Sequence, residues 1–150
     1  EDAVSNGFIN YLGTTSDVLP IIGEADCMVL PSYREGISRV LMEAASMEKP
    51  IIATNVTGCR EVINDGETGF LCKVKSPVDL AHKMAKIINM TEKEKVVMGQ
   101  KGRVKVIEEM DLEKIIDIYD YKIAAVLGEE EGITVDLQEL ISIRKTKKIY

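Results

Sequence analysis

Aromatic residues, histidine and cysteine are scarce in this chain, and each scarcity excludes something. There is no tryptophan, and aromatics make up 5% of the residues. No aromatic platform for stacking bases is visible, and with a net charge of −6 and no broad basic stripe, nucleic acid is not an expected partner. The three cysteines, Cys27, Cys59 and Cys72, are odd in number, widely spaced and form no Cys-x-x-Cys pair. That argues against a disulfide framework or a zinc site. Cys27 and Cys72 fall in apolar runs and read as small buried groups of predicted strands. His82 is the only histidine, and it sits beside Lys83, off the apolar stripe Leu80–Met84–Ile87. It reads as a solvated helix position rather than a catalytic base. The acids between Asp111 and Asp120 have no metal-ligand grouping. No run approaches the roughly 18 apolar residues of a membrane span. The cysteine usage fits a reducing cytoplasm, the expected compartment, and no signal-peptide pattern is read in the opening residues.

What is present is ordinary for a globular protein: 45% hydrophobic and 29% charged residues in a length of 150, enough for one domain with a core. Phe8–Leu12 reads as a strand closed by Gly13. Ser16 is placed to cap a helix running through Val18, Leu19, Ile22 and Ala25, with Pro20 tolerated in its first turns. Cys27–Leu30, Pro50–Thr54 and Thr68–Cys72 read as further strands, and Asn64-Asp65-Gly66 as a turn. A short helical turn from Gly58 to Val62 separates the last two strands. Strands alternating with helices predict an α/β fold: a Rossmann-like parallel sheet, helices on both faces, and a site at the strand C-termini.

The rest of the chain reads as helical. Ser76 caps a helix with Pro77 at its first position, Asp79 in its first turn and an apolar stripe of Leu80, Ala81, Met84, Ile87 and Ile88. Thr91-Glu-Lys-Glu94 is a capping box for the next helix, through Val96, Val97 and Val104. A third is predicted from Asp111, through Leu112, Ile115, Ile116, Ile118, Tyr119, Ile123 and Val126, stopped by Gly128. Residues 129–150 differ: three glutamates, an apolar segment at Leu137, Leu140 and Ile141, then the basic run from Arg144 to Lys148. That run reads as a solvated terminus. The domain division expected is 1–128 for the ligand-binding domain and 129–150 for a tail without assigned role.

The densest chemistry lies in Pro31-Ser-Tyr-Arg-Glu-Gly-Ile-Ser-Arg-Val-Leu-Met-Glu-Ala-Ala, which reads as the end of a strand, a loop and a helix. Glu35 falls in the loop at or just before the helix start, and Glu43 about two turns into it, roughly 12 Å along the axis. Gly36 allows the backbone to approach a ligand closely. The N–H groups of Ile37 and Ser38, at a helix N-terminus, favour an anion. One loop thus offers two carboxylates for hydroxyls and an amide-lined bend for phosphate, which are the needs of a nucleotide sugar.

Glu35, seven intervening residues and Glu43 resemble the E-x7-E motif of retaining glycosyltransferases of family 4, which have the GT-B fold. The following Lys49-Pro-Ile-Ile-Ala-Thr-Asn-Val-Thr-Gly-Cys-Arg-Glu-Val-Ile-Asn-Asp-Gly-Glu-Thr-Gly-Phe-Leu71 is also similar to that family. The resemblance covers about residues 8–126. Tyr33-Arg-Glu-Gly and Gly58-Cys-Arg-Glu61 are most similar to bacterial enzymes, hexosyl- or N-acetylhexosaminyltransferases, that add a UDP-activated sugar, often an N-acetylhexosamine, to surface polysaccharide or lipid-linked glycan. It implies that Glu35, the catalytic candidate, accepts hydrogen bonds from donor-sugar hydroxyls and orients the sugar, rather than acting as a covalent nucleophile. The alternative is a solvated loop glutamate favoured by the helix dipole. Glu43 would hold the ribose hydroxyls; the alternative is a helix glutamate paired with Arg39.

Gly36, Ile37 and Ser38 would meet sugar and diphosphate through the backbone, although Ser38 fits an N-cap equally well. Arg39 stands where many relatives carry an apolar residue, and reads as a phosphate contact or a surface residue. Gly58 would allow close approach to the donor, and Glu61 resembles a position near the site, with a first-turn role as its alternative. Gly13 and Thr14 resemble the place where backbone groups hold the base; a plain strand-ending turn is the alternative.

The resemblance implies transfer of a sugar from a nucleotide diphosphate with retention of configuration. It implies no cofactor and no metal. The acceptor, a glycan or lipid-linked glycan, would be met by an N-terminal domain ahead of Glu1, so the chain is expected to be the C-terminal part of an enzyme, inactive alone. Peripheral association of the full-length enzyme with the inner face of a bacterial membrane is compatible with such an acceptor. Other readings are a non-catalytic nucleotide-sugar-binding module, a degenerate relative, or an unrelated doubly wound domain. A response-regulator type would need an acidic cluster at early strand ends, which is absent. A flavodoxin type would need a phosphate loop of which Gly13-Thr-Thr-Ser16 is only a faint echo.

Overall fold

The computed structural model describes residues 2–110, 116, 117 and 119–123. The chain divides into two compact units, Glu1–Val106 and Ile107–Tyr150. In the second, residues 116, 117 and 119–123 are helical, within the third predicted helix; the rest of that helix and the 129–150 tail lie outside the described residues.

The first unit is built on a parallel sheet of three strands among the described residues, in the order β1 (Met28–Leu30), β2 (Ile51–Thr54), β3 (Gly69–Cys72). Met28 pairs with Ile51, and Ile51 with Gly69, so β2 is central. All four β2 residues are buried, as expected of a parallel strand covered on both faces. The helices among the described residues are α1 (Asp2–Ser5), α2 (Leu19–Glu24), α3 (Arg39–Ser46), α4 (Thr57–Val62), α5 (Pro77–Asn89) and α6 (Glu92–Glu109). The parallel α/β architecture is the predicted one.

Two local start signals hold. Ser76 Oγ accepts from the Asp79 N–H at 3.3 Å, opening α5 behind Pro77. The Thr91–Glu94 box closes from both sides: Thr91 N–H donates to Glu94 Oε2 at 2.7 Å, and Glu94 N–H donates to Thr91 Oγ1 at 3.3 Å. These hydrogen bonds hold the Glu94 carboxyl below its ordinary pKa.

The predicted strand Phe8–Leu12 does not form. Phe8 and Ile9 instead donate their N–H groups to the Ala3 carbonyl, at 2.9 and 3.1 Å, and so close the C-terminus of α1. Phe8 stays 84% exposed. A strand needs a ladder partner, and none lies beside this segment among the described residues. The α2 start also shifts. Asp17 Oδ1 accepts from the Leu19 N–H at 3.1 Å, which moves the N-cap to Val18 rather than Ser16.

The helical stripes are only partly right. Ile87 is buried on α5, while Ile88 is 74% exposed. On α6 the buried residues are Met98, Gly99, Gly102 and Val106, and Val96, Val97 and Val104 face outward. The reason is close packing. A Cβ on Gly99 would sit 1.8 Å from the Glu48 carbonyl oxygen, so α6 can approach the end of α3 only through its glycine face.

Candidate functional site

The carboxyl ends of β1 and β2 feed two loop-to-helix junctions. After β1, residues 31–38 lead into α3, with Ser38 as N-cap in extended conformation, 2% exposed and without a side-chain cap bond. After β2, Asn55 and Val56 lead into α4. The junctions are locked together. A Cβ on Gly58 would lie 1.7 Å from the Gly36 carbonyl oxygen and 2.6 Å from that of Glu35. Only glycine permits that approach. The buried Thr54 hydroxyl adds a second tie by donating to the Ser32 carbonyl.

Glu35 is half-buried in this junction. The buried Cys59 thiol beneath it is pushed up in pKa by burial first and by the Glu35 charge second. Glu35 therefore lies near enough to α4 for its charge to be felt there. Gly36 and Ile37 are exposed. The N–H groups at the start of α3 have no intrahelical acceptor, because the first turn of any helix leaves its donors unmatched.

Glu43 lies one turn into α3, not two. The helix starts at Arg39, and four residues advance the chain only about 6 Å along the axis. Half-buried Glu43 lines a groove of about 400 Å³ with Leu19, Arg39, Met42, Ser46 and Met47. Arg39 and Glu43 share that groove but form no ion pair among the described residues, so the simple helix pair is not what occupies Glu43. Glu35 is not among the groove's lining residues.

Glu61 is exposed on α4. Its neighbour Arg60, not singled out from the sequence, folds back onto the Asn55 side chain at 3.0 Å and Thr57 Oγ1 at 3.2 Å, fixing the start of α4. Gly13 and Thr14 lie on an exposed segment ahead of α2. Gly13 holds a left-handed φ of 76° with open space around it. Among the described residues no group of three or more His, Cys, Asp or Glu could hold a metal ion.

Sequence reasoning missed the third junction, after β3. There Lys73, Lys75 and Ser76 join Tyr33, Thr54 and Cys72 around a cavity of about 350 Å³. The rule that parallel sheets bind ligands at strand C-termini covers this junction as well, but no residue type or spacing after β3 marks it.

Residues 6–105 match the model of a family described as glycosyl transferases group 1. The chain is 32% identical over 122 residues to N-acetyl-alpha-D-glucosaminyl L-malate synthase of Bacillus anthracis, covering 81% of this chain and 32% of that protein. It is 32% identical over 117 residues to the capsular polysaccharide biosynthesis glycosyltransferase CapM of Staphylococcus aureus, covering 78% and 30%. The crystal structure of Anabaena Alr3699/HepE in complex with UDP superposes with a TM-score of 0.71 at 22% identity, over 83% of this chain and 33% of that one. This last likeness supports the fold. The chain spans about a third of the length of these relatives.

Proposed function

The chain belongs to the group 1 glycosyl transferases, and from that premise we propose that it carries the donor-binding part of an enzyme that transfers a sugar from a nucleotide diphosphate, a UDP-sugar, with retention of configuration. The reading is that of family 4 of the GT-B enzymes. One observation carries it: Gly58 packs onto the Glu35–Gly36 backbone, which unites two amide-lined junctions at the carboxyl edge of a parallel sheet. Helix N-termini in such a place stabilise the charge that develops on a departing diphosphate.

In this reading Glu35 accepts hydrogen bonds from the donor sugar and orients it. Gly36, Ile37 and Ser38 meet sugar and diphosphate through the backbone. Glu43 holds the ribose hydroxyls from the groove beside α3, with Arg39 at its rim. Gly58 sets the depth of approach, and Glu61 lies at the margin. Gly13 and Thr14 would receive the base through their backbone groups. The acceptor is a surface-polysaccharide or lipid-linked glycan, a reading supported by the likeness to CapM. Such an acceptor fits a full-length enzyme in the cytoplasm at the membrane's inner face. No helix among the described residues is long and apolar enough to cross a membrane. The donor-binding domain is proposed to extend over 1–128, with 129–150 as a separate tail.

The test uses the full-length gene product with a panel of UDP- and GDP-sugars. Glu35→Ala is expected to lower transfer at least about 100-fold through lost sugar orientation, with UDP affinity nearly kept. Unchanged transfer, or retained folding with no donor bound, would reject the assignment. The 150 residues alone are expected to bind UDP weakly and to transfer nothing.

A further inference from the structure

We propose that the cavity after β3 is a binding site for an organic anion, a phosphate or carboxylate carried on a compact ring. The cavity lies at the carboxyl ends of the sheet, bounded by Tyr33 from the β1 loop, buried Thr54 and Cys72 at the ends of β2 and β3, Lys73 and Lys75, and Leu80 of α5. Its volume, about 350 Å³, falls in the range of small-molecule pockets.

Charge and shape select the ligand. Neither the Lys73 nor the Lys75 ammonium pairs with a carboxylate among the described residues. The Asp79 carboxylate is also near and keeps its charge, its Oδ2 accepting from the Lys73 backbone N–H at 2.7 Å. Two cations against one carboxylate leave a net positive charge beside a partly apolar hollow, which favours an anion with a body to bury. Tyr33 supplies a flat face for that body, and the Lys75 ammonium lies 5.6 Å from the ring centroid.

Backbone strain points the same way. Lys75 holds a left-handed φ of 58°, a conformation that non-glycine residues rarely adopt and that clusters at ligand sites. A glycine would make the same turn without strain. Lysine is there at a cost to the fold, and its ammonium reaches back over Tyr33.

This site stands independently of the donor reading. The β1 loop contributes Tyr33 to the cavity, while its Glu35–Gly36 backbone packs on α4. The two readings can fail separately, because UDP is followed at Gly36 and Gly58 and the anion at Tyr33 and residues 73–76.

The test titrates the 150-residue chain with glucose 6-phosphate, inorganic phosphate and glucose at fixed ionic strength, followed by NMR. Saturable shifts confined to Tyr33 and residues 73–76 are expected, with glucose 6-phosphate binding more tightly than phosphate and glucose not binding. The variant Lys73→Gln with Lys75→Gly is expected to bind glucose 6-phosphate about tenfold more weakly. Its Tm should be unchanged or higher, because glycine relieves the left-handed backbone. Non-saturating shifts scattered over the surface lysines would overturn the proposal. So would unaltered affinity in the variant, or glucose binding as well as its phosphate. Equal affinity for inorganic phosphate and glucose 6-phosphate would overturn the ring-bearing part of it.

Discussion

The two edges of the sheet are finished differently. Along β3 and just past its end, three outward backbone groups are satisfied locally. Leu71 N–H donates to Asp65 Oδ1 at 2.8 Å, Lys73 N–H to Asp79 Oδ2 at 2.7 Å, and the Gly69 carbonyl accepts from the Gly66 N–H at 2.8 Å. Two carboxylates thus occupy the positions that another strand would take, and they add negative charge to the edge. Both devices discourage edge-to-edge pairing. Along β1, Met28 and Leu30 turn their groups to β2, and Val29 between them turns its own the other way. No strand or side chain closes that edge among the described residues. All three β1 residues are only partly buried, in contrast to the fully buried β2. An exposed edge with unmatched donors is a surface built for pairing; one stoppered by aspartates is an end.

The largest effect that would sharpen this contrast comes from proline. Leu30→Pro deletes a donor turned toward β2 and is expected to cost about 3 kcal/mol or more. Val29→Pro deletes one turned away, and should cost clearly less in this chain. Urea melts of both variants check the difference. Equal losses would show that the β1 edge is already paired.

Carboxylate removal comes next. Asp65→Ala and Asp79→Ala are each expected to lose about 1 kcal/mol, since water can partly replace the lost acceptor at this exposed edge. The pair together should self-associate at concentrations where the parent is monodisperse in sedimentation. A double variant with unaltered association would break the comparison, because the aspartates would then not be what closes β3.

The smallest effect is alkaline and belongs to the β1 side. Burial pushes the Cys27 thiol, just ahead of β1, up to about 11, against an ordinary value of 9.0. The folded chain holds this proton more tightly than the unfolded one. Its contribution to stability is therefore full below pH 9 and is lost as pH rises toward 11. Denaturant midpoints should decline across that window, and Cys27→Ala should flatten the decline.

What the sequence revealed depended on the range of the forces involved. Helix starts at Ser76 and Thr91 were legible because a cap is made within four residues. The three sheet strands were legible as short apolar runs. Phe8–Leu12 has the same look, yet a run becomes a strand only where a partner offers a ladder. The buried face of α6 was hidden because Gly99 against the Glu48 carbonyl, not the valine pattern, decides how that helix seats. At the candidate site, Glu35 and the loop around it could be picked out from residue types and spacing. The seating of Gly58 on Gly36 could not, since it joins residues more than twenty positions apart. The left-handed turn at Lys75 was also unreadable, because nothing in that residue's chemistry asks for it.

The same seating has a mechanical side. With no gap between Gly58 and the carbonyls of Glu35 and Gly36, neither junction can flex without carrying its neighbour. Whatever grips one bend therefore also steers α4. Any closing motion around a guest must come from elements outside this welded pair.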